Sequence, residues 1–168
     1  MIEPLPARGE DRPEKSFEEI YRQHFAMVYR VCFSYMKNAA DAEDAAADAF
    51  LKLLKNGRVF QSAEHEKAWL LRTAINTCKD YLKHWRRSCA DIADYENLQS
   101  ASSFHIDETL KAVMELPAHC KAVIYLYYYE GYTTEEIAGL LKKPHATIRY
   151  HLREARNLLR GVLENEEP

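Results

Sequence analysis

Between Asn38 and Gly57 the apolar residues fall at Ala42, Ala45, Ala46, Ala49, Phe50, Leu53 and Leu54. Steps of three and four place them on one stripe of an α-helix, a pattern that the two-residue period of a strand cannot produce. The segment carries its own punctuation: Asn38 to cap it, Asp41 in its first turn, and Asn56-Gly57 to stop it. Capped, periodic segments of this kind recur along the chain. Ser16 and Glu19 fit a capping box opening a helix that runs to about Lys37. Ser62, with Glu64 and Glu66 in the first turn, opens another that runs through Trp69 to about Arg87. Only 5 glycines and 6 prolines interrupt 168 residues, so the expected fold is all-α.

Periodicity is lost over residues 89–106, where Ser, Ala, Asn and Asp dominate, and this stretch is expected to be a flexible acidic linker between two small helical domains. The expected organisation is a disordered tail over 1–14, a first domain over 15–88, the linker, and a second domain over 107–163. Asp107 caps the second block, which contains Leu110, Val113, Met114 and Leu116. Pro117 then starts a helix expected over Ala118–Glu130 and ended by Gly131. Thr133 and Glu136 form a capping box, and Tyr132 and Ile137 have the spacing of a hydrophobic staple. A short helix over Thr134–Leu141, a turn at Lys142-Lys143-Pro144 and a last helix from His145 into the 160s complete a helix-turn-helix.

The net charge is −3, and its distribution says more than its sum. Residues 39–54 sum to −3, 64–87 to +3, 88–110 to −5 and 142–160 to +5. Two basic segments separated by acidic ones imply two separate contacts with a polyanion. In the last helix Ile148, Leu152, Ala155 and Leu159 form a core stripe, and Arg149, Arg153, Arg156 and Arg160 repeat that spacing one residue on. A helix seated in a major groove needs base-reading side chains near its N-terminus and flanking cations for phosphates. His145, Thr147, Arg149, Tyr150 and Arg153 are therefore the candidate readers, and Arg156 and Arg160 the candidate phosphate contacts.

The helix from Trp69 to Arg87 is two-sided as well. Leu70, Ala74, Cys78, Tyr81 and Trp85 line one face; Arg72, Asn76, Lys79, Lys83 and Arg87, with Arg86 adjacent, line another. Such a face suits a phosphate track along single-stranded DNA, with Phe60 and Trp69 either stacking on bases or packing in the core. Asp41, Asp44 and Asp48 face away from the alanine stripe and offer a docking face for a basic protein partner.

No nucleophile motif, glycine-rich phosphate loop or H-E-x-x-H occurs, so the chain is not expected to be an enzyme. Cys32, Cys78, Cys89 and Cys120 form no C-x-x-C pair and read as reduced core residues. The spacing of His84, Cys89, His105, His119 and Cys120 matches no zinc pattern, so no metal or cofactor is expected. No apolar run approaches a membrane span, and the polar stretch Met1 to Glu14 lacks a signal peptide's apolar core, so the expected location is the cytoplasm.

Three stretches, in this order, resemble the extracytoplasmic-function group of bacterial RNA polymerase sigma factors. Asp41-Ala-Glu-Asp44, followed by Asp48-Ala-Phe50-Leu51-Lys52-Leu53, resembles that family's core-binding motif in region two. Trp69-Leu-Leu-Arg72-Thr-Ala-Ile-Asn76, with Asp80-Tyr81-Leu82 and Arg86-Arg87, resembles its promoter-melting helix. Leu116-Pro117, Glu130-Gly131-Tyr-Thr-Thr-Glu-Glu136-Ile137-Ala138 and Thr147-Ile148-Arg149 resemble region four. The resemblance spans about residues 16–87 and 107–162.

The resemblance implies a sigma factor that directs RNA polymerase to specific promoters and assists their melting. Asp41, Asp44, Asp48 and Phe50 would bind the clamp helices of the polymerase largest subunit. Arg72, Asn76, Lys79, Lys83, Arg86 and Arg87 would meet the minus-ten element, with a flipped base held near the loop from Asn56 to Glu66. His145, Thr147, Arg149, Tyr150, Arg153 and Arg156 would read the minus-thirty-five element, and region four would touch the polymerase flap. The linker would thread toward the RNA exit path, and an anti-sigma factor is an expected further partner. The chain departs from the family's pattern at Glu154, where Arg is usual, at Lys143, where an apolar residue is common, and at Pro144, where Ser is common. Two other readings of the residues stay open at this level. One is a stand-alone helix-turn-helix regulator with an N-terminal sensor or dimerisation domain, which would bind palindromic half-sites without polymerase. The other is a helical adaptor that binds only protein.

Overall fold

Seven helices and no strand make up the described part of the chain in a computed structural model, which covers residues 15–57, 60–88 and 108–164. Of residues 86–88, 108–109 and 162–164 only the backbone is described. The expected tail over 1–14, the linker over 89–106 and the cap at Asp107 lie outside the described residues. The helices are α1 (Phe17–Met36), α2 (Ala39–Asn56), α3 (Ala63–Ser88), α4 (Glu108–Met114), α5 (Ala118–Tyr128), α6 (Thr134–Leu141) and α7 (His145–Glu164).

The caps follow the sequence signals. Ser16 Oγ accepts the Glu19 N–H at 3.2 Å, and Asn38 Oδ1 accepts that of Asp41 at 2.9 Å. Thr133 and Glu136 make both hydrogen bonds of the capping box. Gly57 ends α2 in the left-handed conformation at φ 54, where a side chain would be strained. One boundary differs from expectation: α5 stops at Tyr128 rather than Glu130. The Tyr132 N–H reaches back to the Leu126 carbonyl at 3.0 Å, so the chain turns over Gly131, at φ 73, before residues 129 and 130 can add to the helix.

Helices α1, α2 and α3 pack on one another, and the alanine stripe of α2 is the reason they sit close. Ala42, Ala45, Ala46 and Ala49 are fully buried, and small side chains reduce the distance between helix axes. Leu54 departs from the expected stripe and is 57% exposed. It is the last apolar residue before α2 ends. A buried pair, His24 with Glu66 at 2.7 Å, ties α1 to α3, and Lys15 adds a contact to the same carboxylate at 3.4 Å.

Helix α5 is buried nearly all round, from Cys120 to Leu126. A helix that is apolar on every side must be covered on every side. Here α1 covers one flank and α7 another, so the two halves of the chain share one continuous core. Polar contacts cross the junction as well. The Tyr35 hydroxyl donates to the Ala118 carbonyl at 3.2 Å, and Lys121 donates to the Ser34 carbonyl at 2.9 Å with its ammonium 5.5 Å from the Tyr35 ring centre. Lys67 pairs with Glu130 at 2.8 Å and lies over the Tyr132 ring. Burial first, and the nearby Lys37 second, bring the Lys121 ammonium down to about 8.

Candidate nucleic-acid and polymerase interfaces

The turn between α6 and α7 sets α7 on a rigid support. Lys142 takes a left-handed conformation at φ 53, and its N–H bonds the Ala138 carbonyl, which redirects the chain within three residues. Ile137, Ile148, Leu152 and Ala155 are buried and fix α7 against α5 and α6. With that stripe inward, Arg149, Tyr150 and Arg153 stand outward with Ala146 around a shallow cleft of about 250 Å³. Tyr150 is 58% exposed, a large aromatic held in water at the helix N-terminal half. His145 is exposed and its ring meets Thr134 Oγ1 at 2.8 Å, which ties the start of α7 to the start of α6; Thr147 is half-buried.

Arg156 has a different setting from its neighbours. Its Nε donates to the Tyr128 hydroxyl at 3.0 Å, and its guanidinium lies 5.1 Å from the Tyr127 ring centre and 5.8 Å from that of Tyr128. The side chain thus braces α7 against α5 and has one donor already committed. Tyr127 and Tyr128 carry no charge and no capping role, and the tyrosine-rich run Tyr125 to Tyr129 was the only sequence signal for this brace.

On α3, Asn76 and Lys83 are exposed, whereas Arg72 and Lys79 are half-buried. Burial lowers the Lys79 ammonium pKa, and Lys143 from the α6–α7 turn and Lys83 push in the same direction. Lys79 on α3 and Lys143 in the α6–α7 turn thus lie within electrostatic reach of each other. The side chains of Arg86 and Arg87 lie outside the described residues. Phe60 is buried and packs against Trp69 at 5.7 Å and His65 at 5.4 Å between ring centres, while Trp69 itself is half-buried.

On α2, Asp44 is exposed, Asp41 is half-buried and holds the Asn38 amide at 2.6 Å, and Asp48 accepts the Tyr81 hydroxyl of α3. That bond and burial raise the Tyr81 phenol well above its ordinary value. Phe50, placed by period in the α2 stripe and by resemblance in the core-binding motif, lies in the stripe. It is 2% exposed, edge-on to Phe17 at 6.3 Å and 4.8 Å from the Tyr21 ring centre, because position 50 belongs to the same inward stripe as Ala46 and Leu53. What it does is support an apolar rim. Phe17 and Tyr21 lean on it at 37% and 38% exposure, and Leu51 and Leu54 beside it on α2 are 46% and 57% exposed. Phe50→Ala is expected to cost about 3–5 kcal/mol of folding free energy in urea denaturation, the loss typical of a core phenylalanine. A surface phenylalanine would cost well under 1 kcal/mol.

Comparison with known proteins decides what carries these surfaces. Residues 20–88 match the model of sigma-70 region 2, and residues 106–159 match that of sigma-70 region 4. The RNA polymerase sigma factor SigV of Bacillus subtilis is 30% identical over 147 residues, spanning 86% of this chain and 89% of that protein. This chain is an extracytoplasmic-function sigma factor. The ECF RNA polymerase sigma factor SigE of Mycolicibacterium smegmatis is 27% identical over 168 residues, 94% of this chain and 65% of that protein. The fold is that of the sigma factor RpoE of Bartonella quintana, solved in complex with the anti-sigma factor NepR. That match has a TM-score of 0.71 at 22% identity and covers 90% of this chain and 98% of that one. The sigma factor is thus a transcription-initiation protein, and among its described residues no helix is long and apolar enough to cross a membrane.

Proposed function

We propose that residues 15–88 of this sigma factor bind core RNA polymerase and the minus-ten element, that 107–163 read the minus-thirty-five element, and that 89–106 connect them. The observation that carries the reading is the outward row Arg149, Tyr150 and Arg153 on a helix whose opposite stripe is fully buried. A rigid helix with paired arginines near its start is the form that base-edge recognition takes in a major groove. Core polymerase docks on the rim of Asp44, Leu51 and Leu54, with Phe17 and Tyr21 beside it, an acidic edge next to exposed apolar side chains. Asn76 and Lys83, with Arg72 and Lys79, track the melted strand. Region four also meets the polymerase flap. The protein acts where transcription occurs, in the cytoplasm, and performs no catalysis of its own.

The halves part when the promoter is engaged. Elements about 25 base pairs apart are separated by roughly 85 Å at about 3.4 Å per pair. A compact chain of this length is only about 40 Å across. Residues 89–107, drawn out, reach at most roughly 60 Å, enough for the two halves to move apart. Lys79 and Lys143 repel each other across the halves, and separation relieves that repulsion. Because the similar Bartonella protein is held by an anti-sigma factor, a partner of that kind is proposed for this chain as well. Initiation by purified core polymerase at defined promoter positions, only when this protein is added, is the experiment that tests the whole reading.

A further inference from the structure

Where α5 starts, against the middle of α7, four donor side chains meet that the promoter-reading role leaves unused. His119 and Cys120 are adjacent on the first turn of α5, and Glu154 comes from α7. One donor atom from each lies within 4.8 Å of the others, with His119 Nε2 3.1 Å from Glu154 Oε2. The ring of His151 is 4.8 Å from that of His119. His151 and Glu154 are three residues apart on α7 and so share one face. Cys120 is fully buried, whereas the side chains of His119 and Glu154 are 41% and 35% exposed, so the cluster has an apolar floor and an open mouth.

A thiolate, one or two imidazoles and a carboxylate form a donor set of intermediate softness, which suits zinc-class divalent ions. Bond lengths of about 2.0–2.3 Å place the donors of a tetrahedral ion about 3.3–3.6 Å apart. His119 and Glu154 are already near that spacing, and the Cys120 donor atom lies within 4.8 Å of both. The alternative, a plain His–Glu pair over a core cysteine, leaves Glu154 unexplained. It is the single acid beside six Lys and Arg over residues 142–160, on the helix that must approach phosphates. A bound cation neutralises that carboxylate and pins α7 to α5.

We propose that His119, Cys120 and Glu154, with His151 as fourth donor, form a tetrahedral site for a zinc-class divalent cation. Binding releases the Cys120 thiol proton to solvent. The site departs from the expectation of no metal, which considered His119 and Cys120 without partners from another helix.

The test is titration of the tag-free full chain with Co2+, a spectroscopic substitute for Zn2+. The expected result is saturation at one equivalent, with tetrahedral visible bands and a thiolate-to-cobalt charge-transfer band in the near ultraviolet, all removed by Zn2+. Cys120→Ser abolishes the charge-transfer band. His119→Ala and Glu154→Gln, at partly exposed positions, keep the helical circular dichroism and all four cysteines yet weaken Co2+ at least about tenfold. Absence of a charge-transfer band at one equivalent overturns the proposal. So does an unchanged band and affinity in both His119→Ala and Glu154→Gln, because the ion would then sit on other cysteines.

Discussion

Exchange of Arg149 and Arg153 for alanine is expected to weaken binding of the polymerase–sigma complex to duplex minus-thirty-five DNA by about 30-fold to 10⁴-fold. The magnitude follows from about 1–3 kcal/mol for each arginine that grips a base edge. Both side chains stand outward from a helix whose inner stripe is untouched by the change, so folding is preserved. Arg149→Ala alone relaxes sequence preference at the base it reads. Arg160→Ala, further along the same exposed row, weakens all sequences alike and lowers the slope of log affinity against log salt by about one. Arg156→Ala has a different signature, because that side chain braces Tyr127 and Tyr128: its effect is on the stability of the α5–α7 contact as well as on DNA. Fluorescence anisotropy over a salt series separates the three behaviours.

The second large effect is on assembly with polymerase. Asp44→Lys combined with Leu54→Glu is expected to reduce affinity for core enzyme by more than about thirtyfold, the loss of at least about 2 kcal/mol that marks an interface hot spot. Both positions are exposed, so circular dichroism and the urea midpoint stay close to those of the unmodified protein. Asp48→Asn does not share that profile. Asp48 accepts the Tyr81 hydroxyl between α2 and α3, and its loss is felt in stability. Co-purification with tag-bearing core polymerase measures the first effect and denaturation the second.

The helices were legible because each carries both a period and a cap. Ser16, Asn38 and Thr133 announce α1, α2 and α6, and the structure accepts all three signals. The basic row of α7 was legible for the same reason: once Ile148, Leu152 and Ala155 point inward, Arg149 and Arg153 must point out. Less legible was anything that depends on which helix lies against which. Period alone placed both Phe50 and Leu54 in the α2 stripe, but only the packing of neighbouring helices decides that the first is buried and the second exposed. The brace of Arg156 on α5 needs residues 28 positions apart in the chain. Packing between the halves joins residues far apart in the chain, 87 positions in the case of Lys121 with Ser34, which no local pattern encodes. The donor cluster is of the same kind: His119 and Glu154 are 35 positions apart, so the spacing rules that find zinc ligands along a chain pass over them.

The central claim is that this protein gives core RNA polymerase its promoter choice. Its most direct measurement is the mapping of transcript 5′ ends made by purified core polymerase on the genomic DNA of the same organism, with and without the protein. The predicted result is a small set of starts that appear only with the protein. Each follows two short sequence blocks at one fixed spacing, and the set is lost with Arg149→Ala/Arg153→Ala. Starts that are the same with and without the protein would contradict the account.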